Sequence, residues 1–198
     1  MADYTKLVPI IKHWEGGYVN DPTDRGGATN KGVTLSTYRA FYGRNKTAAD
    51  LKNITDSQWS YIFKKGYWDP MGGDYINNQS IADLLADFAW GSGPGTAARH
   101  IQTLVGVNVD GKVGPKTIAA INNSNQSDLF QRLKNDRINF VNKIVASDSS
   151  QSKYVNGWKA RINSFFFEYG TIMKVATLAI LIGIGVWIYK KKLKSQKK

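Results

Sequence analysis

Trp14-Glu15-Gly16-Gly17-Tyr18, followed closely by Asp24-Arg25-Gly26-Gly27-Ala28-Thr29, is the stretch on which the reading of this chain turns. N-terminal to it, Leu7, Ile10, Ile11 and Trp14 recur at helical spacing, which predicts a helix from Tyr4 to Glu15. Pro9 fits that helix only in the first turn, where its missing N–H is not needed. Gly16 and Gly17 are expected to end it by entering left-handed conformations at little cost. Asn20-Asp21-Pro22 and Gly26-Gly27 are turn signals, so residues 18–33 read as an irregular or hairpin segment. A carboxylate at a helix end, followed by glycines that let the chain open into a cleft, can serve as a general acid. Asp24 offers a second carboxylate nine positions on.

Helix signals dominate the rest. Thr34 precedes Leu35–Phe41, with Gly43 as the stop, and Thr55-Asp56-Ser57-Gln58 has capping-box form ahead of a helix running to Gly66. Ser80 leads into Ile81, Leu84, Leu85, Phe88 and Ala89, a strongly amphipathic pattern. Further helices are expected over 96–105, 115–122, 127–147 and 153–169. Strand signal is sparse. The expected fold is mainly α, lysozyme-like with a small β lobe, followed by a single C-terminal transmembrane helix. A soft boundary near Gly72–Gln79 divides the globular part into residues 1–75 and 76–168.

Composition narrows the chemistry. The chain has no cysteine, which excludes disulfides, thiol catalysis and cysteine-ligated metals. No metal or organic cofactor is indicated. Six Trp, ten Tyr and eight Phe supply rings that either pack a core or stack on sugar faces. The net charge of +12 suits an anionic partner, but the last nine residues hold six lysines, half of that total. The basicity is thus concentrated in the tail at 190–198 rather than on a reading helix, which argues against nucleic acid as a partner.

Ahead of that tail, residues 171–189 form an apolar run of about 19 residues, roughly 28 Å as a helix. Lys174 lies near one end, and Trp187 and Tyr189 near the other, as interfacial residues do. The expectation is a single-pass C-terminal anchor in a lipid bilayer, in the bacterial envelope or the internal membrane of a phage virion. Met1–Lys6 has neither the basic start nor the apolar core of a signal peptide.

Residues 4–75 resemble the family 108 glycoside hydrolases, lysozyme-like N-acetylmuramidases of phages and bacteria. The resemblance rests on Glu15-Gly16-Gly17-Tyr18, Asp24-Arg25-Gly26-Gly27-Ala28-Thr29 and Lys31-Gly32-Val33-Thr34. Residues 80–165 resemble the predicted peptidoglycan-binding domain that usually follows. There the matching segments include Ala82–Ala89, Ser92-Gly93-Pro94-Gly95, Val109–Thr117 and Gly157-Trp158. The chain departs from the family near Trp90 and Gly91, where an Asn is usual.

The resemblance implies a peptidoglycan hydrolase cutting the β-1,4 bond between N-acetylmuramic acid and N-acetylglucosamine, with Glu15 as the essential acid. Asp24 then activates water or stabilises the oxocarbenium-like transition state, and Thr29 orients that water or bonds the second carboxylate. The spacing of Glu15, Asp24 and Thr29 is similar to that of phage-type lysozymes. Tyr18, Tyr67 and Trp68 are candidate sugar-binding residues. Plainer roles stand beside these. Glu15 can pair with Arg25 at a helix end, Asp24 can hold a turn, Thr29 can be a strand residue, and the three rings can be core. Asp83 and Asp87, one turn apart, read as structural pairing. Two other functions remain open: a lytic transglycosylase using the same glutamate, and a non-catalytic glycan-binding anchor.

Overall fold

The computed structural model describes residues 1–20 and 27–168. Residues 1–166 form one compact unit, and the remaining residues are assigned to a second. Nine α-helices and one two-stranded sheet are found among the described residues.

Helix α1 (Tyr4–Trp14) is opened by Asp3, whose carboxylate accepts from the Thr5 N–H at 2.9 Å, and buries Leu7 and Ile11. Two expectations about this helix are corrected. Pro9 is its sixth residue, in the second turn, so the Thr5 carbonyl loses an intrahelical donor. The helix also ends at Trp14, because Glu15 already has an extended backbone (φ −90°, ψ 139°), and neither Gly16 nor Gly17 has a positive φ.

Strands β1 (Thr29–Asn30) and β2 (Val33–Thr34) pair antiparallel, Thr29 with Thr34 and Asn30 with Val33. The two-residue turn between them, Lys31-Gly32, has positive φ at both positions, the geometry that matches strand twist in tight hairpins. Two anchors fix this hairpin. The buried Asn30 amide donates to the Leu51 and Lys52 carbonyls, and the Trp59 indole N–H donates to the Lys31 carbonyl at 2.8 Å. Val19 bridges to Thr29 through two backbone bonds of 2.8 Å.

Helix α2 (Leu35–Tyr42) starts at the Thr34 cap and stops at Gly43. Helix α3 (Ala48–Lys52) was not anticipated; it is opened by a Thr47/Asp50 capping box. Helix α4 (Asp56–Phe63) has the expected Thr55/Gln58 box. It does not stop at Gly66 but widens into a π-helical turn, Lys64–Trp68, followed by 3-10 turns at Asp69–Met71 and Gly73–Tyr75.

The second half is built around α5 (Gln79–Ser92), in which every residue from Ser80 to Ala89 is buried. It packs against α6 (Pro94–Val105) and α8 (Gln126–Ser147). Helix α7 (Pro115–Asn123) packs on α6 and α8, and α9 (Ser152–Asn163) lies along α8. Helix α9 ends at Asn163, short of the expected 169, and Lys134 holds the chain beyond it by donating to the Asn163 and Phe165 carbonyls.

The expected fold class is corrected to a mainly α, lysozyme-like chain with a two-stranded sheet. No helix among the described residues is long and apolar enough to cross a membrane. The transmembrane helix expected at 171–189 lies outside the described residues. The described residues thus give no support to a bilayer partner or to a single-pass membrane localisation.

Candidate active site

Because Glu15 leaves α1 in extended conformation, its side chain turns off the helix axis toward α5 and α9. Its side chain is 15% exposed. Oε1 receives two donors: the Trp90 indole N–H at 2.7 Å and Arg161 Nη1 at 2.7 Å. Oε2 lies against Gly32; a Cβ built there would collide with Oε2 and sit 2.8 Å from the Trp90 ring. Gly32 is therefore required twice, for its left-handed backbone and for the space it leaves to the carboxylate.

Arg161 also donates to Asp87 Oδ1 through Nε (2.9 Å) and Nη2 (2.7 Å). Asp87 is fully buried, and its other oxygen accepts from Arg137 Nη2 at 2.8 Å. Two carboxylates and two guanidinium groups thus balance in charge. Burial opposes the charge on Arg161, yet Asp87 and Glu15 outweigh it and hold the guanidinium above its ordinary pKa. Burial pulls Arg137 below its ordinary value, with Asp87 offsetting only part of the effect.

Trp90 is held in place by an aromatic cluster, with Tyr67 at 4.7 Å, Trp59 at 5.4 Å and Phe63 at 5.6 Å between ring centroids. Glu15, Gly32, Trp90, Trp158 and Arg161 line a cavity of about 310 Å³, near the lower end of small-ligand pockets. A larger cavity of about 740 Å³ beside Gly27 and α2 contains Arg39 and Arg44 but no carboxylate among the described residues.

The other sequence candidates are distributed unevenly. Asp24 and Arg25 lie outside the described residues. Thr29 is a half-buried residue of β1 and is not part of the lining of the Glu15 cavity. The Tyr18 ring faces the Lys52 ammonium at 5.6 Å. Tyr67 lies one ring away from Glu15, against Trp90, and burial pushes its phenol up. Trp68 is fully buried, with its N–H on Asp74 at 2.7 Å, so it has no ring face free for a sugar. Arg161 went unnoticed in the sequence; 146 positions separate it from Glu15 and no periodicity links them.

Residues 8–93 match the family described as Glycosyl hydrolase 108, and residues 96–163 match a Predicted Peptidoglycan domain. The solved structure of SagA from Brucella abortus is similar to this chain at 32% identity and a TM-score of 0.68, covering 82% of this chain and 94% of SagA. The chain belongs to the glycosyl hydrolase 108 family. It is accordingly a glycoside hydrolase acting on peptidoglycan, which is also its binding partner. A comparison with curated protein sequences finds no match. As a family 108 hydrolase, the chain draws its site from both matched regions: Glu15, Gly32 and Trp90 from the first, Arg161 from the second.

Proposed function

We propose that this family 108 hydrolase is an N-acetylmuramidase that cleaves the β-1,4 bond between N-acetylmuramic acid and N-acetylglucosamine, with Glu15 as general acid. The observation that carries this reading is the placement of Glu15, largely withdrawn from water and on the wall of a cavity. A glycosidic oxygen leaves poorly unless it gains a proton as the C–O bond breaks. Glu15 supplies that proton, the bonding pair stays with the leaving sugar oxygen, and water adds its hydroxyl to the anomeric carbon. Asp24 activates the water or stabilises the oxocarbenium-like transition state, and Thr29 orients the water or bonds Asp24. Tyr18 and Tyr67 contribute to glycan binding. Residues 1–75 carry the catalytic carboxylates, and residues 76–168 hold the strand and supply Arg161.

Clearing of a suspension of purified cell-wall sacculi tests the acid directly. The wild type is expected to clear it, and Glu15→Gln, nearly isosteric and unable to donate a carboxyl proton, to fall by at least about 100-fold. Near-normal clearing by Glu15→Gln at unchanged thermal stability would remove Glu15 from the mechanism.

A further inference from the structure

Among the described residues, the two N–H donors that reach Glu15 converge on the same oxygen. Trp90 Nε1 and Arg161 Nη1 each stand 2.7 Å from Oε1, while Oε2 faces the backbone of Gly32. This asymmetry has a chemical meaning. A protonated carboxyl has one carbonyl oxygen, which accepts, and one hydroxyl oxygen, which donates. Two donors split between the oxygens would leave one of them facing the acid proton. Two donors on Oε1 are compatible with both states, since Oε1 serves equally as carboxylate or carbonyl oxygen.

We propose that Trp90 and Arg161 are positioning residues that pin Oε1 as the carbonyl oxygen of Glu15 and so assign the transferable proton to Oε2, beside Gly32. The proposal rests on Glu15 being the acid. On transfer, the Oε2–H bond breaks, the proton goes to the glycosidic oxygen and the electron pair remains on the Glu15 carboxylate. The same two donors then stabilise the new charge without rearranging, which is the useful property of a preorganised site. Arg161 stays in place throughout because Asp87 holds it through two further bonds. Trp90 stays because three rings surround it.

Among the described residues, the charged groups around Glu15 are themselves engaged. Arg161 of α9 contacts it, Arg137 of α8 lines the same cavity, and Asp87 of α5 is bonded to both guanidinium groups. Lys12 of α1 and Lys31 of the hairpin turn are engaged by Asp56, at 2.9 and 3.2 Å. His13 is exposed, edge-on to Trp14.

The sequence makes the test unusually clean, because Glu15 and Glu168 are its two glutamates. In the full chain labelled with ¹³C-glutamate, the side-chain carboxyl gives two resonances, and Glu15→Gln assigns them. At one fixed pH the Glu15 carboxyl resonance is expected to move in Trp90→Phe and in Arg161→Met, with Arg161→Lys returning it part of the way, because the hydrogen bonds that reach Oε1 are lost. Glu168 serves as the internal reference. In parallel, kcat is expected to fall about 10- to 100-fold in Trp90→Phe with little change in KM, since orientation at the reacting atom is lost rather than binding.

A Glu15 resonance that stays put in both variants overturns the clamp, whatever happens to activity. A moved resonance with unchanged kcat overturns its catalytic importance. A wild type that cleaves no wall sinks the muramidase reading instead, and the resonance alone then decides whether the two donors hold Glu15.

Discussion

Gly32 shows how much of this site depends on the absence of a single side chain. Its left-handed backbone closes the hairpin, and its missing Cβ leaves room for Glu15 Oε2. Gly32→Ala is predicted to cost about 1–2 kcal/mol of stability from the backbone conformation. Activity should suffer far more, by roughly 100-fold or beyond, because the methyl group displaces the carboxylate. Thermal unfolding beside sacculus clearing checks the pair; a variant that loses stability but keeps its rate would show that Glu15 tolerates displacement. Asp87 gives a contrasting case. Fully buried and bonded to two guanidinium groups, it supports both Arg137 and Arg161. Asp87→Asn leaves buried Arg137 without a counter-charge, and is expected to destabilise the chain by about 3–5 kcal/mol. A loss below about 1 kcal/mol in denaturant unfolding would contradict the network as described.

At the scale of elements, local chemistry and the structure agree where the signal was local. The Thr55/Gln58 capping box, the Gly43 stop and the helix after Ser80 are all legible because caps and periodicity act within a few residues, although that helix is buried on every side from Ser80 to Ala89 rather than amphipathic. The Thr47/Asp50 box that opens α3 is equally local, but its helix of five residues is too short to show a period. Pro9 and the π-helical turn are different. Buried Leu7 and Ile11 hold α1 together across the proline, and buried Trp68 pulls the chain past Gly66. Tertiary packing overrides propensity at both places. Lys64 reinforces the second by bonding Asp69 and Asp74 at 2.6 and 2.9 Å. Its ammonium, with help from the Trp68 N–H, holds the Asp74 carboxyl below the ordinary 3.8. A lowered folded-state value contributes stability that is fully present above 3.8 and fades as pH drops through the folded value. Thermal midpoints measured downward from about pH 5 should therefore fall less steeply in Lys64→Met than in the wild type. Parallel curves would show that Asp74 gains nothing from the lysine.

Across the whole molecule, the site was half legible. Glu15 and its glycines could be found because they are contiguous and chemically suggestive. Trp90 and Arg161 could not, since their role arises only when α5 and α9 are brought to the end of α1. That closure has a functional consequence: the matched hydrolase region contains Glu15, the proposed acid, and the matched peptidoglycan region supplies one of its donors. The excess positive charge acts at the same scale. Retention of the chain on anionic sacculi is predicted to weaken as salt rises from about 0.05 to 0.5 M, equally for wild type and Glu15→Gln. Co-sedimentation measures it, and salt-independent binding would assign retention to specific glycan contacts instead.

The central claim concerns the bond that is cut and the residue that protonates it. Mass spectrometry of peptidoglycan digested by the full chain, wild type beside Glu15→Gln, addresses both. Reducing N-acetylmuramic acid ends released by the wild type alone are the predicted result. Anhydro-muramic ends would instead indicate a lytic transglycosylase, and equal release by Glu15→Gln would contradict the role of Glu15.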